Sequence, residues 1–156
     1  MNGDNAGTAR SDQQDILMAA KAEKVTVRND LSELQAVYSA LESFSRTAGL
    51  SDEVRRSMLL VVEELFSNTV SYGYPKGEAD EIVVTMALRS RHVELTLTDS
   101  GKPFDNSISP DGPVQGEDAE SMPVGGLGLF LVHQLAEQVT TKRSGDRNHT
   151  IVRLPR

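Results

Sequence analysis

The sequence predicts an α/β sandwich of the α+β class, a mixed, mainly antiparallel sheet with helices packed on one face. Three observations predict it. Apolar residues recur at helical spacing through two long stretches, Leu31 to Phe44 and Val54 to Val70. Short segments that alternate apolar and polar residues read as strands, and four of them pair as two hairpins. The order is strand, two helices, two strands, a long loop, one helix and two strands, so every helix has a sheet to cover.

Residues 1–23 read as a polar tail, disordered over Met1 to Ser11, with a short helix around Ile16, Leu17 and Ala20. The domain itself is placed at 24–156. Val25 and Val27 on one side of Lys24 to Arg28 mark a first strand. Asp30 caps a helix carrying Leu31, Leu34, Val37, Tyr38, Leu41 and Phe44, which ends near Gly49. Ser51 caps the next, with Asp52 and Glu53 in the first turn, where negative charge is favoured. That helix runs to about Tyr72, and Gly73, Pro75 and Gly77 close it. Glu81 to Leu88 and His92 to Thr98 form a hairpin around Arg89-Ser90-Arg91. Gly101 to Val124 is a long loop with four prolines and reads as a mobile lid. A helix follows from Gly125 or Gly126 to about Gln138. Val139 to Arg143 and His149 to Leu154 then pair around Ser144-Gly145-Asp146-Arg147-Asn148.

The totals exclude several classes of function. The 156 residues suffice for one domain with a proper core. No run reaches the length of a membrane span, and the polar start does not read as a signal peptide, so a cytoplasmic protein is expected. Cysteine is absent, which removes disulfides and thiolate metal sites. The net charge of −7 argues against nucleic-acid binding, which needs clustered Lys and Arg. It also means that a phosphate ligand needs local N–H groups or a metal ion. His92, His133 and His149 have no metal-ligand spacing, and no P-loop, dinucleotide fingerprint or serine-hydrolase elbow is present.

Three stretches carry candidate chemistry. Glu64 and Asn68 are four apart in the second long helix and project from one face. An Asn carboxamide oxygen suits Mg²⁺, and a carboxylate one turn away can take a proton from a hydroxyl. Glu63 competes for that role, but its five-residue interval to Asn68 puts it about 140° round the helix. Asp99-Ser100-Gly101 ends a strand. The carboxylate can accept from an amino group such as that of adenine, and the glycine lets a flat ring approach the backbone. Gly125-Gly126-Leu127-Gly128-Leu129 opens a helix, and its free N–H groups form either a phosphate site or a plain turn before a core helix.

Together the three resemble the ATP-binding domain of the gyrase, heat-shock chaperone, histidine kinase and mismatch-repair ATPases, the Bergerat fold. Glu64 and Asn68 match its first motif, Asp99-Ser100-Gly101 the second, and Gly126-Leu127-Gly128-Leu129 the third. Thr150 stands where these proteins often have an adenine-side Thr. Val61-Val62-Glu63-Glu64-Leu65-Phe66-Ser67-Asn68 and Asp99-Ser100-Gly101-Lys102-Pro103-Phe104-Asp105 are similar to the small anti-sigma factor serine kinases of the RsbW type. The resemblance implies ATP and Mg²⁺ as ligands, with Asn68 on the metal. Asp99, Gly101 and Thr150 are implied at adenine, and Gly126, Leu127, Gly128 and Leu129 at the phosphates. Glu64 is implied as the base. It further implies a STAS-domain antagonist as phosphoacceptor, a sigma factor or other sequestered target, and a homodimer. Two residues depart from the pattern: Tyr72 where many members have His, and Gly125 where many have Arg. They keep open a module that binds nucleotide without transfer. A detached histidine-kinase catalytic domain and a gyrase-like hydrolase rank lower.

Overall fold

The computed structural model describes residues 21–111 and 126–156. The expected helix in the N-terminal tail, the greater part of the expected lid and Gly125 lie outside the described residues. The elements are β1 (Ala22–Arg28), a 3-10 turn (Leu31–Glu33), α1 (Leu34–Ala48), α2 (Asp52–Asn68), a π-helical turn (Thr69–Gly73), β2 (Glu81–Leu88), β3 (His92–Asp99), α3 (Gly126–Leu135), β4 (Gln138–Ser144) and β5 (Arg147–Pro155).

The strands form one sheet in the order β1-β2-β3-β5-β4, and every pairing is antiparallel. The parallel part of the expected mixed sheet is therefore missing. Two helices between β1 and β2 bring the chain back to the end it left, so those strands oppose. The single-helix crossover sets β4 parallel to β3, but β5 inserts between them and no parallel pair forms. All three helices contribute side chains to the core on one face of the sheet.

Alternation decides which residues meet the helices. Ile82, Val84 and Met86 of β2, Val93, Leu95 and Leu97 of β3, and Val152 and Leu154 of β5 are buried. The helices answer with Val37, Leu41 and Phe44, with Met58, Val61, Val62, Leu65 and Phe66, and with Leu129 and Val132. Burying each such side chain contributes about 1.5–3 kcal/mol before chain entropy is set against it. The helix entries are local. Ser51 Oγ accepts from the Val54 N–H (3.3 Å), and Gly49 ends α1 in the left-handed region at φ 65°.

Several boundaries differ from expectation. The first strand begins at Ala22, because Ala22 and Glu23 continue the ladder opposite Ala87 and Met86. The regular part of α2 ends at Asn68, and the turns up to Gly73 widen to π geometry. Helix α3 stops at Leu135 rather than Gln138, since the Glu137 N–H already donates to Arg153 O (2.8 Å) as β4 begins. The last hairpin is tighter: Ser144 pairs with Arg147, leaving the two-residue turn Gly145-Asp146 with Gly145 at φ 61°. That register lifts Asn148 out of the loop and sets it in β5 opposite Asp99.

Candidate functional site

The inward row of β3 runs Val93, Leu95, Leu97 and ends on Asp99, a carboxylate 5% exposed where the apolar core stops. Its Oδ1 accepts from the Gly101 N–H (2.8 Å) and from Asn148 Nδ2 (3.0 Å). Asn148 Nδ2 also donates to Gly101 O (2.9 Å), and Arg143 Nη1 donates to Asn148 Oδ1 (2.6 Å). The guanidinium thus fixes which end of the Asn148 amide faces Asp99. These bonds occupy Oδ1. No hydrogen bond among the described residues uses Asp99 Oδ2.

Gly101 is held where only glycine fits. A Cβ there would lie 2.7 Å from Gly73 O and 3.1 Å from Asp99 Oδ1. The π-helical turn after Asn68 presses Gly73 onto this loop, and Gly73 O accepts from the Lys102 N–H (2.7 Å). Such turns cluster at functional sites because they re-aim the chain without ending the helix. Tyr74 braces the same junction. Its hydroxyl donates to Asp80 Oδ2 (2.9 Å) and accepts from the Ser100 N–H (3.2 Å). Burial, then the bond to Asp80, push its ionisation well above the usual tyrosine value.

A cleft opens beside these residues. Asp99, Gly73, Asn106, Asn148 and Thr150 line its inner end. Ser71, Pro75, Pro103, Pro110, Gly126 and Leu129 line its outer end. Asn68, Tyr72, Lys102 and Phe104 belong to both, so the two ends form one continuous cleft. The structure therefore brings together Asn68, Asp99, Thr150 and Gly126 along the cleft, while Gly101 packs behind the lining residues Gly73 and Asp99.

Glu64 is not among the residues that line the cleft; it lies against the start of α3, whose Gly126 and Leu129 do line it. The first turn of α3 crosses it so closely that a Cβ on Gly128 would overlap the Glu64 carboxylate. Burial raises the Glu64 pKa above the ordinary glutamate value, and the negative charge of Glu63 raises it further. Glu63 faces elsewhere, toward a groove lined by Gln35, Tyr38 and Glu42. Burial and then the Glu63 carboxylate push the Tyr38 hydroxyl up to about 12. Of the two acids, only Glu64 meets the glycine turn. Leu127 is exposed, and the Leu129 side chain belongs to the core while also reaching the cleft wall.

Among the described residues no group of three His, Cys, Asp or Glu side chains could hold a metal ion. Asn68 lines both ends of the cleft, and its carboxamide oxygen is a candidate metal donor there. One protein oxygen fits Mg²⁺, which keeps much of its water and shares phosphate oxygens.

The sequence reading missed Asn148 and Asn106. Asn148 looked like a turn residue because the hairpin was read as five residues long. Asn106 follows Asp105, whose carboxylate accepts from the Ser107 N–H (2.9 Å), a local turn that hides its neighbour's long-range bonds. Lys102, in both halves of the cleft, stood in a quoted motif without a role.

The family model for the histidine kinase-like ATPase domain matches residues 27–154. The chain is similar to the serine-protein kinase RsbW of Listeria monocytogenes serotype 4a, 36% identical over 104 residues, covering 64% of this chain and 66% of that protein. It is also similar to the RsbW kinases of Oceanobacillus iheyensis (30% over 102 residues, 64% and 65% covered) and Staphylococcus epidermidis (31% over 107 residues, 65% and 67% covered). The chain thus spans just under two thirds of the Listeria relative. A crystal structure of the RsbU and RsbW domains of Rv1364c from Mycobacterium tuberculosis shares the fold, with TM-score 0.62 and 15% identity over 86% of this chain and 32% of that one. With the match running from β1 through β5 and spanning the whole cleft, the chain belongs to the histidine kinase-like ATPase domain family.

Proposed function

We propose that this chain is an ATP-dependent protein serine/threonine kinase that regulates a partner by phosphorylation and sequestration. One observation carries the reading. The glycine turn at the start of α3 lies directly on the Glu64 carboxylate, so a general base stands beside a natural phosphate site. The names of the RsbW relatives support a serine as acceptor.

The inner end of the cleft takes adenine. Asp99 Oδ2 accepts from the amino group, Thr150 supports the same edge, and Gly101 leaves room for the ring. Gly126, Leu127, Gly128 and Leu129 present backbone N–H groups at the start of α3 to the phosphates, and Lys102 adds positive charge at the cleft wall. Asn68 would hold Mg²⁺ through its carboxamide oxygen, and the ion would supply neutralising charge to the triphosphate. Glu64 takes the proton from the partner's hydroxyl as its oxygen bonds the γ-phosphorus. The bond from that phosphorus to the β,γ-bridging oxygen breaks, and ADP leaves. Burial, then the Glu63 carboxylate, raise the Glu64 pKa, which brings its proton affinity closer to that task.

The acceptor is a STAS-domain antagonist and the sequestered target a sigma factor or another protein, with the kinase acting as a cytoplasmic homodimer. The resemblance of the site motifs to RsbW-type kinases supports this assignment. No helix among the described residues is long and apolar enough to cross a membrane.

Calorimetry with ATP, with and without Mg²⁺, tests the site. Wild type binds in Mg²⁺, Asp99→Ala does not, and Glu64→Ala binds but transfers no phosphate to a STAS-domain acceptor. Transfer retained by Glu64→Ala would remove that residue from the role. Failure of wild type to bind would overturn the nucleotide site.

A further inference from the structure

Asn106 has no part in the chemistry above, yet it is 8% exposed and tied to three elements. Its N–H donates to Thr141 Oγ1 on β4 (3.0 Å), and its carbonyl oxygen lies 2.8 Å from His133 Nε2 on α3. Its Nδ2 donates to Thr150 Oγ1 on β5 (3.0 Å). The remaining side-chain atom, Oδ1, is buried and has no hydrogen-bond partner among the described residues. Turning the amide over would exchange Nδ2 and Oδ1. It would then bury an amide N–H₂ without an acceptor instead of a carbonyl without a donor, and orphaned donors are the rarer arrangement. Nδ2 therefore faces Thr150.

That bond sets the polarity of the Thr150 hydroxyl. The Asn106 amide occupies a lone pair of Oγ1, which leaves the hydroxyl hydrogen for the cleft that Thr150 lines. The unpaired Oδ1 makes Asn106 a costly choice for a mere wall, where an apolar residue of the same size would avoid an orphaned polar atom. Resting on the adenine reading of the inner cleft, we propose that Asn106 is a positioning residue for base selection. It presents Thr150 to the purine as a hydrogen-bond donor. Adenine has an acceptor at ring N1, whereas guanine has an N–H there. Asp99 complements this with an acceptor that suits the amino group of adenine and opposes the carbonyl oxygen of guanine. An asparagine presets each of the two groups: Asn148 orients Asp99, and Asn106 orients Thr150.

Asn106→Asp tests the proposal, because it replaces the donor with an acceptor. The Thr150 hydroxyl then gives its hydrogen to the carboxylate and shows the ring only lone pairs. The probe is 1-deaza-ATP, which carries C–H in place of N1. Wild type binds ATP about tenfold more tightly than 1-deaza-ATP, the worth of one hydrogen bond. In Asn106→Asp that ratio falls to about one, the loss of the same bond. Asn106→Leu, which also removes the orphaned carbonyl, lowers the ratio severalfold and guards against a misfolded Asp variant. The wild-type ratio retained in either variant, or no discrimination by the wild type, would overturn the proposal. Failure of wild type to bind ATP at all would overturn the nucleotide reading and this proposal with it.

Discussion

Two glycines meet neighbours of opposite character, and that difference separates structural from catalytic consequences. A Cβ on Gly101 runs into the backbone carbonyl of Gly73, which is held by the Lys102 N–H and cannot retreat. A Cβ on Gly128 runs into the end of the Glu64 side chain, which can swing away. Gly101→Ala is therefore expected to lower folding stability by about 1–3 kcal/mol, the usual range for overpacking. Gly128→Ala moves Glu64 and loses phosphotransfer, with little effect beyond the small stability change of an Ala in a first helical turn. Urea titration and a transfer assay on both variants check the contrast. Stability falling in Gly128→Ala and transfer surviving would reverse the assignment. In a Glu64→Ala background the two losses at Gly128 and Glu64 should not add, since both remove the same carboxylate.

Helix α2 joins core to site, because one stripe buries Met58, Val61, Val62, Leu65 and Phe66 while the next presents Glu64 and Asn68. Its start is set by Ser51, so Ser51→Ala is expected to cost about 1 kcal/mol through loss of the cap. Thermal melts check this, and nucleotide affinity should not change, since the cap lies at the far end from Asn68. The periodicity of this helix and of α1 was legible because apolar residues recur every three to four positions. Glu64, Asn68, Asp99 and Gly101 were legible as candidates for a related reason: each breaks a local pattern, as a polar residue beside an apolar stripe or a turn at a strand end. Endings were harder. Helix α3 passes into β4 through Ala136 and Glu137, with no Gly or Pro to mark the change. Asn106 and Asn148 resemble ordinary turn residues. Their meaning comes from bonds across 44 and 49 residues, which no local pattern records.

At the scale of the whole molecule, one sheet face and three helices bury the core, and the site residues are added against that stability. Glu64 shows the sign. Its folded-state pKa is raised, by burial first and then by Glu63, so the folded protein holds the Glu64 proton more tightly than the unfolded chain does. The contribution to stability is then fully present below the unfolded pKa and is lost as pH rises through the folded one. Once ionised, the Glu64 carboxylate opposes folding. Glu64→Gln keeps the shape and removes the charge, so its urea midpoint should exceed that of wild type at the alkaline end of a pH series and converge with it at the acid end, below the unfolded-state pKa. The same variant should lose phosphotransfer while binding ATP. A midpoint below wild type at the alkaline end would mean that the ionised carboxylate is held by favourable partners, and its place against Gly128 would then be structural. A higher midpoint together with lost transfer would show a charge that folding disfavours and catalysis requires.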